Sequence, residues 1–460
     1  MPQSADDNRS PWQLWPETEA ALERWTDALL SALPPAGDFV RELEQTTSTR
    51  AFDWLDHITL AGNENAERTL QELGFEREDV QAPQSALAFH HPDAQFPRVL
   101  LHRHDANEPT PIALSLKCDR VADVLLANGL DRPIRGARRG PFREATLFEE
   151  AGRALRVTER CGYRGYVPLP FTADNVERYE AAQEMWRTRG RFFDDEAEGM
   201  QAALNTAHRM VELVGADAAA WLAFEVERDY WQRHNRAGQT QKARQDRMGF
   251  GWANHDHHTF RSSRAHFATL IEIFHAFGFA DRERFYAGRE AGWGAQIVEQ
   301  PACGLVVFAD VDLTPEEIEI DFARQPLEPW SQLGTVGLWC ALHGESMLRA
   351  GMHHLEAQFR FDALRDDLAQ QGLGMMQPFS DLRYLRQAFT QGEQWRVPEQ
   401  RIQRLFKQGH IDADQAERFR REGAIGSHLE NLQRRFGFKG FNQKNVSDII
   451  GRTDPRRAQR

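Results

Sequence analysis

Apolar side chains recur at helical spacing near the start of the chain. Trp12, Leu14, Trp15, Leu22, Trp25, Leu29 and Leu30 follow this pattern until Pro34-Pro35 interrupts the run, and helix is expected over residues 11–48. From Phe52 the period changes. DWLDHITLAG alternates as a strand, and NENAERTLQELGF returns to helical spacing and closes at Gly74. SALAFHH, FPRVLLHRH and PIALSLKCD then read as three short strands. Between about 120 and 250 the signals are mixed: VADVLLANGL looks helical, RALRVTERCGYRGYVPLPF extended, and 173–247 a set of long charged helices. GWANHDHHTFRSS opens another strand, RAHFATLIEIFHAFGF a helix closed by Gly278, and RERFYAG, GWGAQIVEQ and GLVVFADVDL three further strands. From 328 onward, segments such as QAERFRREGAIGSHLENLQRRF predict mostly helix.

This succession contains an internal repeat. Asp56-His57-Ile58-Thr59-Leu60 is matched by Asp256-His257-His258-Thr259-Phe260, and each copy leads into a helix ending in Gly-Phe, at Gly74-Phe75 and Gly278-Phe279. Both copies sit in the same predicted order, β-α-β-β-β. The expected architecture is α+β, with paired βαβββ modules forming a cupped mixed sheet, large helical insertions and a helical C-terminal region. The corresponding divisions are N-terminal helices over 1–50, a first module over 51–120, linking strands and a helical insertion over 121–250, a second module over 251–325 and the helical region over 326–460.

Composition narrows the function classes. The chain has 460 residues, 41% hydrophobic and 27% charged, enough for two or three packed units and too apolar for disorder. Its net charge of −13 argues against a nucleic-acid partner held through phosphates, despite a local basic run at Arg135–Arg139. Cys118, Cys161, Cys303 and Cys340 are scattered without C-x-x-C spacing, which suits reduced thiols. The opening MPQSADDNRS is not a signal peptide, and no stretch approaches 18 consecutive apolar residues, so the expectation is a cytoplasmic protein with no membrane partner. A homo-oligomer is compatible with the sequence. Walker A, G-x-S-x-G and strand-linked G-x-G-x-x-G motifs are all missing.

Strand alternation puts His57 and Thr59 on one face, and His257, Thr259 and Arg261 on one face. If the first strands of the two modules lie side by side, His57 and His257 converge on one divalent ion. Neutral imidazoles suit Fe(II), Mn(II), Zn(II), Co(II) or Ni(II), and two His with one carboxylate leave positions open for substrate and O2. Glu299, at the end of an apolar strand, is the expected carboxylate, with Asp310 and Asp312 as alternatives. Arg261 stands about 13 Å along the strand from His257, where its guanidinium suits a substrate carboxylate. His255 shares the face of His257 by alternation and is expected as a proton-transfer or supporting group, whereas His258 points away. Asp56 and Asp256 are expected on the opposite face, fixing the strand by hydrogen bonds. His102 and His104 are alternate residues on one strand and rivals to His57. His353-His354 lies in a predicted helix near Glu356, without H-E-x-x-H spacing, and reads as packing or surface.

Paired βαβββ units with a histidine on each first strand resemble the vicinal oxygen chelate superfamily, which includes glyoxalase I and extradiol dioxygenases. Within it, His257-x-x-x-Arg261, a helix of similar length, FYAGREAG and AQIVEQ over 285–300 resemble the 2-oxoadipate dioxygenase/decarboxylase (2-hydroxyglutarate synthase) family. The resemblance implies a non-haem Fe(II) enzyme with a two-His, one-Glu site. It assigns His257 as the first metal histidine, Arg261 as the substrate arginine and Glu299 as the glutamate. His57 departs from the family pattern, being followed by Ala61 where an arginine is expected. The implied activity is a dioxygenase, decarboxylating or not, acting on a small 2-oxo or 2-hydroxy carboxylate. A glyoxalase-like isomerase or lyase and a non-catalytic ligand-binding protein of the same fold are the alternatives.

Overall fold

The computed structural model describes residues 12–289, 291–441, 454 and 456. Two N-terminal helices, α1 (Pro16–Ala32) and α2 (Pro34–Thr47), each begin with proline, whose missing N–H costs nothing in a first turn. They cover one face of a seven-stranded sheet. Its strands are β1 (Leu55–Gly62), β2 (Glu76–Glu78), β3 (Ala86–His90), β4 (Arg98–Arg103), β5 (Thr110–Lys117), β6 (Phe142–Glu150) and β7 (Arg153–Arg160), in the order β2-β3-β4-β1-β5-β7-β6. Helix α3 (Glu64–Glu72), N-capped by Asn63, follows β1, and α4 (Val121–Ala127) follows β5. Ile58, Leu60, Leu114, Leu116, Leu155 and Val157 pack towards these helices, so the alternate residues of β1, β5 and β7 occupy the other face.

Four helices form the insertion: α5 (Ala173–Arg187), α6 (Glu196–Val214), α7 (Ala216–Arg233) and α8 (Arg236–Asp246). The second sheet then begins with β8 (His255–Arg261), α9 (Phe267–Ala276), β9 (Ala280–Tyr286), β10 (Trp293–Gln300) and β11 (Leu305–Asp312). After α10 (Thr335–His343) come β12 (His354–Gln358), α11 (Phe361–Gln370), β13 (Ser380–Leu382), β14 (Leu385–Phe389) and β15 (Glu393–Trp395). Helices α12 (Glu399–Lys407) and α13 (Ala413–Glu422) precede β16 (Ala424–Arg434). The sheet order is β13-β14-β16-β12-β8-β11-β10-β9, with β15 paired to β16. Seven of the ten residues of α9 are apolar, and Phe267, Leu270, Ile271, Ile273 and Phe274 are buried between the sheet and the insertion.

Paired modules are present, but in both sheets and with different partners from those expected, and the second unit of the first sheet is the shorter β5-α4-β6-β7. The Asp-His-x-Thr strands do not adjoin. β1 lies between β4 and antiparallel β5, while β8 lies between β11 and antiparallel β12. Each copy therefore opens a sheet of its own and pairs with the unit that follows it. In consequence, β5 starts the second unit of the first sheet rather than completing the 51–120 module.

The region 326–460, expected as helical, supplies β12 to β16 and with them half of the second sheet. β16 reads as helix because it is buried along nearly its whole length on both faces, which erases the alternation that marks a half-buried strand. Gly423, at φ 76°, ends α13 and redirects the chain into it. Cys118, Cys161, Cys303 and Cys340 are all free. No helix among the described residues is long and apolar enough to cross a membrane.

Candidate metal centre

The face of the second sheet turned away from α9 is a cup, and its centre is set by register. Glu356 of β12 is opposite His257 of β8, and Glu430 of β16 runs beside Glu356. One donor atom from each of His257, Glu356 and Glu430 lies within 4.8 Å of the other two, and all three residues are buried. His257 Nε2 is 2.8 Å from Glu356 Oε1, and His354 Nε2 reaches the same oxygen at 2.8 Å. Thr259 Oγ1 donates to that oxygen at 3.1 Å, and Gln387 Nε2 donates to Glu430 Oε1 at 2.7 Å. The second carboxylate oxygen of Glu356 and Nδ1 of His354 are buried with no protein partner.

A β-bulge orients His257. The β8–β12 register slips between His257 and His255, so Asp256 is unopposed and its carboxylate meets the imidazole of its own neighbour. Asp256 Oδ1 lies 2.8 Å from His257 Nδ1. Arg434 clamps both oxygens of Asp256 at 2.9 Å, and Gln95 and Gln358 each donate to Oδ2 at 2.9 Å. Asp256 remains ionised despite burial, because Arg434 and the His257 hydrogen bond hold its carboxyl well below the usual range. That carboxylate keeps the imidazole proton on Nδ1 and presents the Nε2 lone pair to the cup.

Charge in the cup is otherwise badly compensated. Burial pushes Glu356 well above the ordinary carboxylate range, and the neighbouring Glu430 adds to this; burial also pushes Glu430 up to about 7. Burial brings His257 down to about 4 and holds His354 well below the usual imidazole value. Two neutral imidazoles and two carboxylates that share protons are the donor set a divalent cation requires, since it favours deprotonated oxygens and free nitrogen lone pairs. The residues fit such an ion.

Arg261 lies further along β8 and lines the same cavity of about 70 Å³ as His257, Thr259 and Asp310. Its Nε is 3.7 Å from Asp310 and has no hydrogen-bond partner, and its guanidinium sits 5.6 Å from the Trp339 ring centre. Burial raises Asp310 to about 7. Phe285, Trp293, Phe308, Phe379, Phe389 and Phe441 supply the apolar wall.

Of the residues singled out from the sequence, the structure brings together His257, Arg261 and, beside Arg261, Asp310. His57 belongs to the first sheet, where Asp56 binds its Nδ1 at 2.7 Å and Tyr166 packs against its ring. Glu299 is partly exposed and lies 3.5 Å from Arg282. The bulge that aligns Asp256 with His257 also reverses parity before it. His255 therefore turns to the helix side, where Trp252 O binds its Nδ1 at 2.9 Å and the rings of His258 and Trp221 adjoin it. The same parity change puts Asp56 and Asp256 beside their histidines rather than on the opposite face. Asp312 accepts from Val336 and Gly337 N–H at the start of α10. His102 is 3.2 Å from Ser85 and His104 is exposed, both in or beyond the first sheet.

His354, Glu356 and Glu430 were not singled out as ligands from the sequence. A signal was present: His354-Leu355-Glu356 and His428-Leu429-Glu430 are the same tripeptide, and they lie side by side in parallel register.

Each of the two sheets is a pair of modules that open with a strand and a helix, and the second sheet has a metal-type donor cluster at its centre. No protein-family model and no curated protein matches the sequence. Among solved structures, a 4-hydroxymandelate synthase mutant from Streptomyces coelicolor is similar at 12% identity and a TM-score of 0.28, covering 86% of this chain and 98% of that one. A putative glyoxalase superfamily protein from Ralstonia eutropha JMP134 is 13% identical with a TM-score of 0.34, covering 59% and 99%. A xylose isomerase-like TIM barrel/4-hydroxyphenylpyruvate dioxygenase fusion protein is 11% identical with a TM-score of 0.23, covering 88% and 52%. At these scores nothing about chemistry follows from the likeness.

Proposed function

We propose that the chain is a non-haem Fe(II)-dependent dioxygenase acting on a small 2-oxo or 2-hydroxy carboxylate, as its resemblance to the 2-oxoadipate dioxygenase/decarboxylase family implies. The observation that supports this most directly is the meeting of His257 Nε2, Glu356 and Glu430 within 4.8 Å in a buried cup. His257, Glu356 and Glu430 would hold the ion, with His354 Nε2 in reach as a fourth donor. Bound there, a divalent ion supplies Lewis acidity to a chelating pair of substrate oxygens and, if it is iron, a redox partner for O2.

The chain's own residues do the remaining work. Asp256 keeps the Nδ1 proton of His257 in place. Glu356 and Glu430, both raised by burial, would give up their protons to hold an ion. Arg261 lies on the same strand face as His257 and lines the same cavity, and its partly paired guanidinium suits the distal carboxylate of a substrate. Asp310, raised by burial to about 7 and so only partly ionised near neutrality, leaves part of that positive charge available. The aromatic wall excludes bulk water, which strengthens each of these polar interactions.

Elemental analysis of protein from iron-supplemented growth, joined to oxygen consumption over a panel of 2-oxo acids, tests the reading. The expected result is one equivalent of metal, lost in His257→Ala and Glu430→Ala, with O2 consumed in proportion to one acid of the panel. Product formed without O2 would instead indicate an isomerase or lyase. Undiminished metal in both variants would remove the site altogether.

A further inference from the structure

The first sheet repeats the construction of the metal cup with different chemistry at its centre. His57 corresponds to His257, and its supporting Asp56 is clamped by Arg160, through Nε at 2.7 Å and Nη2 at 2.9 Å, as Arg434 clamps Asp256. A register slip at Asp56 matches the bulge at Asp256. Across the sheet His57 is opposite Ser115, and Ser115 runs beside Arg156. In the second sheet His257 is opposite Glu356, and Glu356 runs beside Glu430. Ser115 and Arg156 therefore stand where the metal cup has its two carboxylates. The guanidinium repels a cation, and with the hydroxyl as a hydrogen-bond donor beside it the pair suits an anion.

The polar atoms on this face point to a ligand. Ile58 and Leu60, Leu114 and Leu116, and Leu155 and Val157 pack into the helix-covered core, which places Thr59, Ser115 and Arg156 on the opposite face of three adjacent strands. Thr59 is 2% exposed, Ser115 is fully buried and Tyr166, which closes over His57, is 3% exposed. The hydroxyls of all three lack any hydrogen-bond partner, and so does the buried Nε of Arg156. Arg156 has no ion pair among the described residues; burial lowers His102, on β4 beyond β5 and β1, and the Arg156 charge adds to this. Three buried hydroxyls without partners and an unpaired guanidinium nitrogen on one face of the sheet are the donor chemistry that an oxyanion takes, since buried donors are otherwise almost always paired.

We propose that the first sheet carries a second, metal-independent site that binds a small oxyanion. Arg156 supplies the charge, and Thr59, Ser115 and Tyr166 supply neutral hydrogen bonds. An organic carboxylate and an inorganic oxyanion share this chemistry, and the two are separated by using both as probes.

Calorimetric titration of the full chain, held in chelator so that the other cup is metal-free, tests it with 2-oxoglutarate in one arm and inorganic phosphate in the other. Saturable one-to-one binding of at least one probe is expected, and the tighter arm identifies the source. Arg156→Gln should weaken binding by roughly ten- to a hundredfold, the range for loss of a charged hydrogen bond. Arg156→Lys should restore part of it, and Arg261→Gln in the other cup should leave it unchanged. If Arg156→Gln does not fold, Ser115→Ala takes its place and should weaken binding by severalfold while leaving thermal stability unharmed. Binding of neither probe, binding indifferent to both Arg156→Gln and Ser115→Ala, or binding lost in Arg261→Gln instead would overturn the proposal.

Discussion

Replacement of Glu430 by Gln isolates the electrostatic logic of the metal cup. The substitution keeps the size of the side chain and a hydrogen bond to Gln387, but removes an oxygen donor that can ionise. In the metal-free protein Glu430 holds its proton up to about 7, and metal entry must release it. Because the carboxyl is raised in the metal-free form and ionised in the bound form, affinity increases as pH rises through 7. For a single group with that value, affinity between pH 6 and pH 8 increases about tenfold, or roughly 1.4 kcal/mol. Glu356, pushed up further, adds to this trend. The imidazoles do not contribute, since His257 is already neutral above about 4. Competition of Co(II) or Zn(II) against a chelator at pH 6, 7 and 8 reads the effect directly, and proton release in weak buffer checks its stoichiometry. Glu430→Gln should bind more weakly at every pH, with a pH 8 to pH 6 affinity ratio about tenfold smaller than the parent's. A parent whose affinity is flat across this range, or a variant with an unchanged ratio, would refute the reasoning.

Arg261→Gln should retain full metal content yet raise KM for the carboxylate substrate by roughly ten- to a hundredfold, measured by steady-state kinetics with metal analysis alongside. Asp256→Asn should weaken metal binding by about 10–100-fold, because the imidazole loses the carboxylate that fixes its tautomer; chelator competition measures it. His57→Ala should leave metal content at one equivalent, since that residue lies in the other sheet. Phe260→Ala should cost about 3–5 kcal/mol in urea unfolding, because its ring is fully buried against Phe224 and Phe274.

Much of the fold was legible along the chain. The strands at β1, β3 to β5 and β8 to β11 announce themselves by alternation, and the helices α3 and α9 by their period and their closing glycines. The Asp-His-x-Thr repeat points to repeated modules, which the structure has, and to His257, which lies in the buried donor cluster. Two local devices escaped that reading. A bulge at Asp256 changes which side chains share a face, and no pattern of apolar residues marks it. β16, buried on both sides, carries no alternation and looks helical, and it hides Glu430.

What the sequence determined by itself was the identity of most elements up to β11 and the repeat of the Asp-His-x-Thr strand, because each depends on neighbours within a turn or a strand. Tertiary structure alone decided that β1 pairs with β5 and β8 with β12, and so which donors meet. Strand pairing joins segments far apart in the chain, and local hydrophobic pattern reports that a face is buried without saying against which partner. The metal-type cluster of His257, Glu356 and Glu430, and the oxyanion-type cluster of Thr59, Ser115 and Arg156, both arise from that pairing.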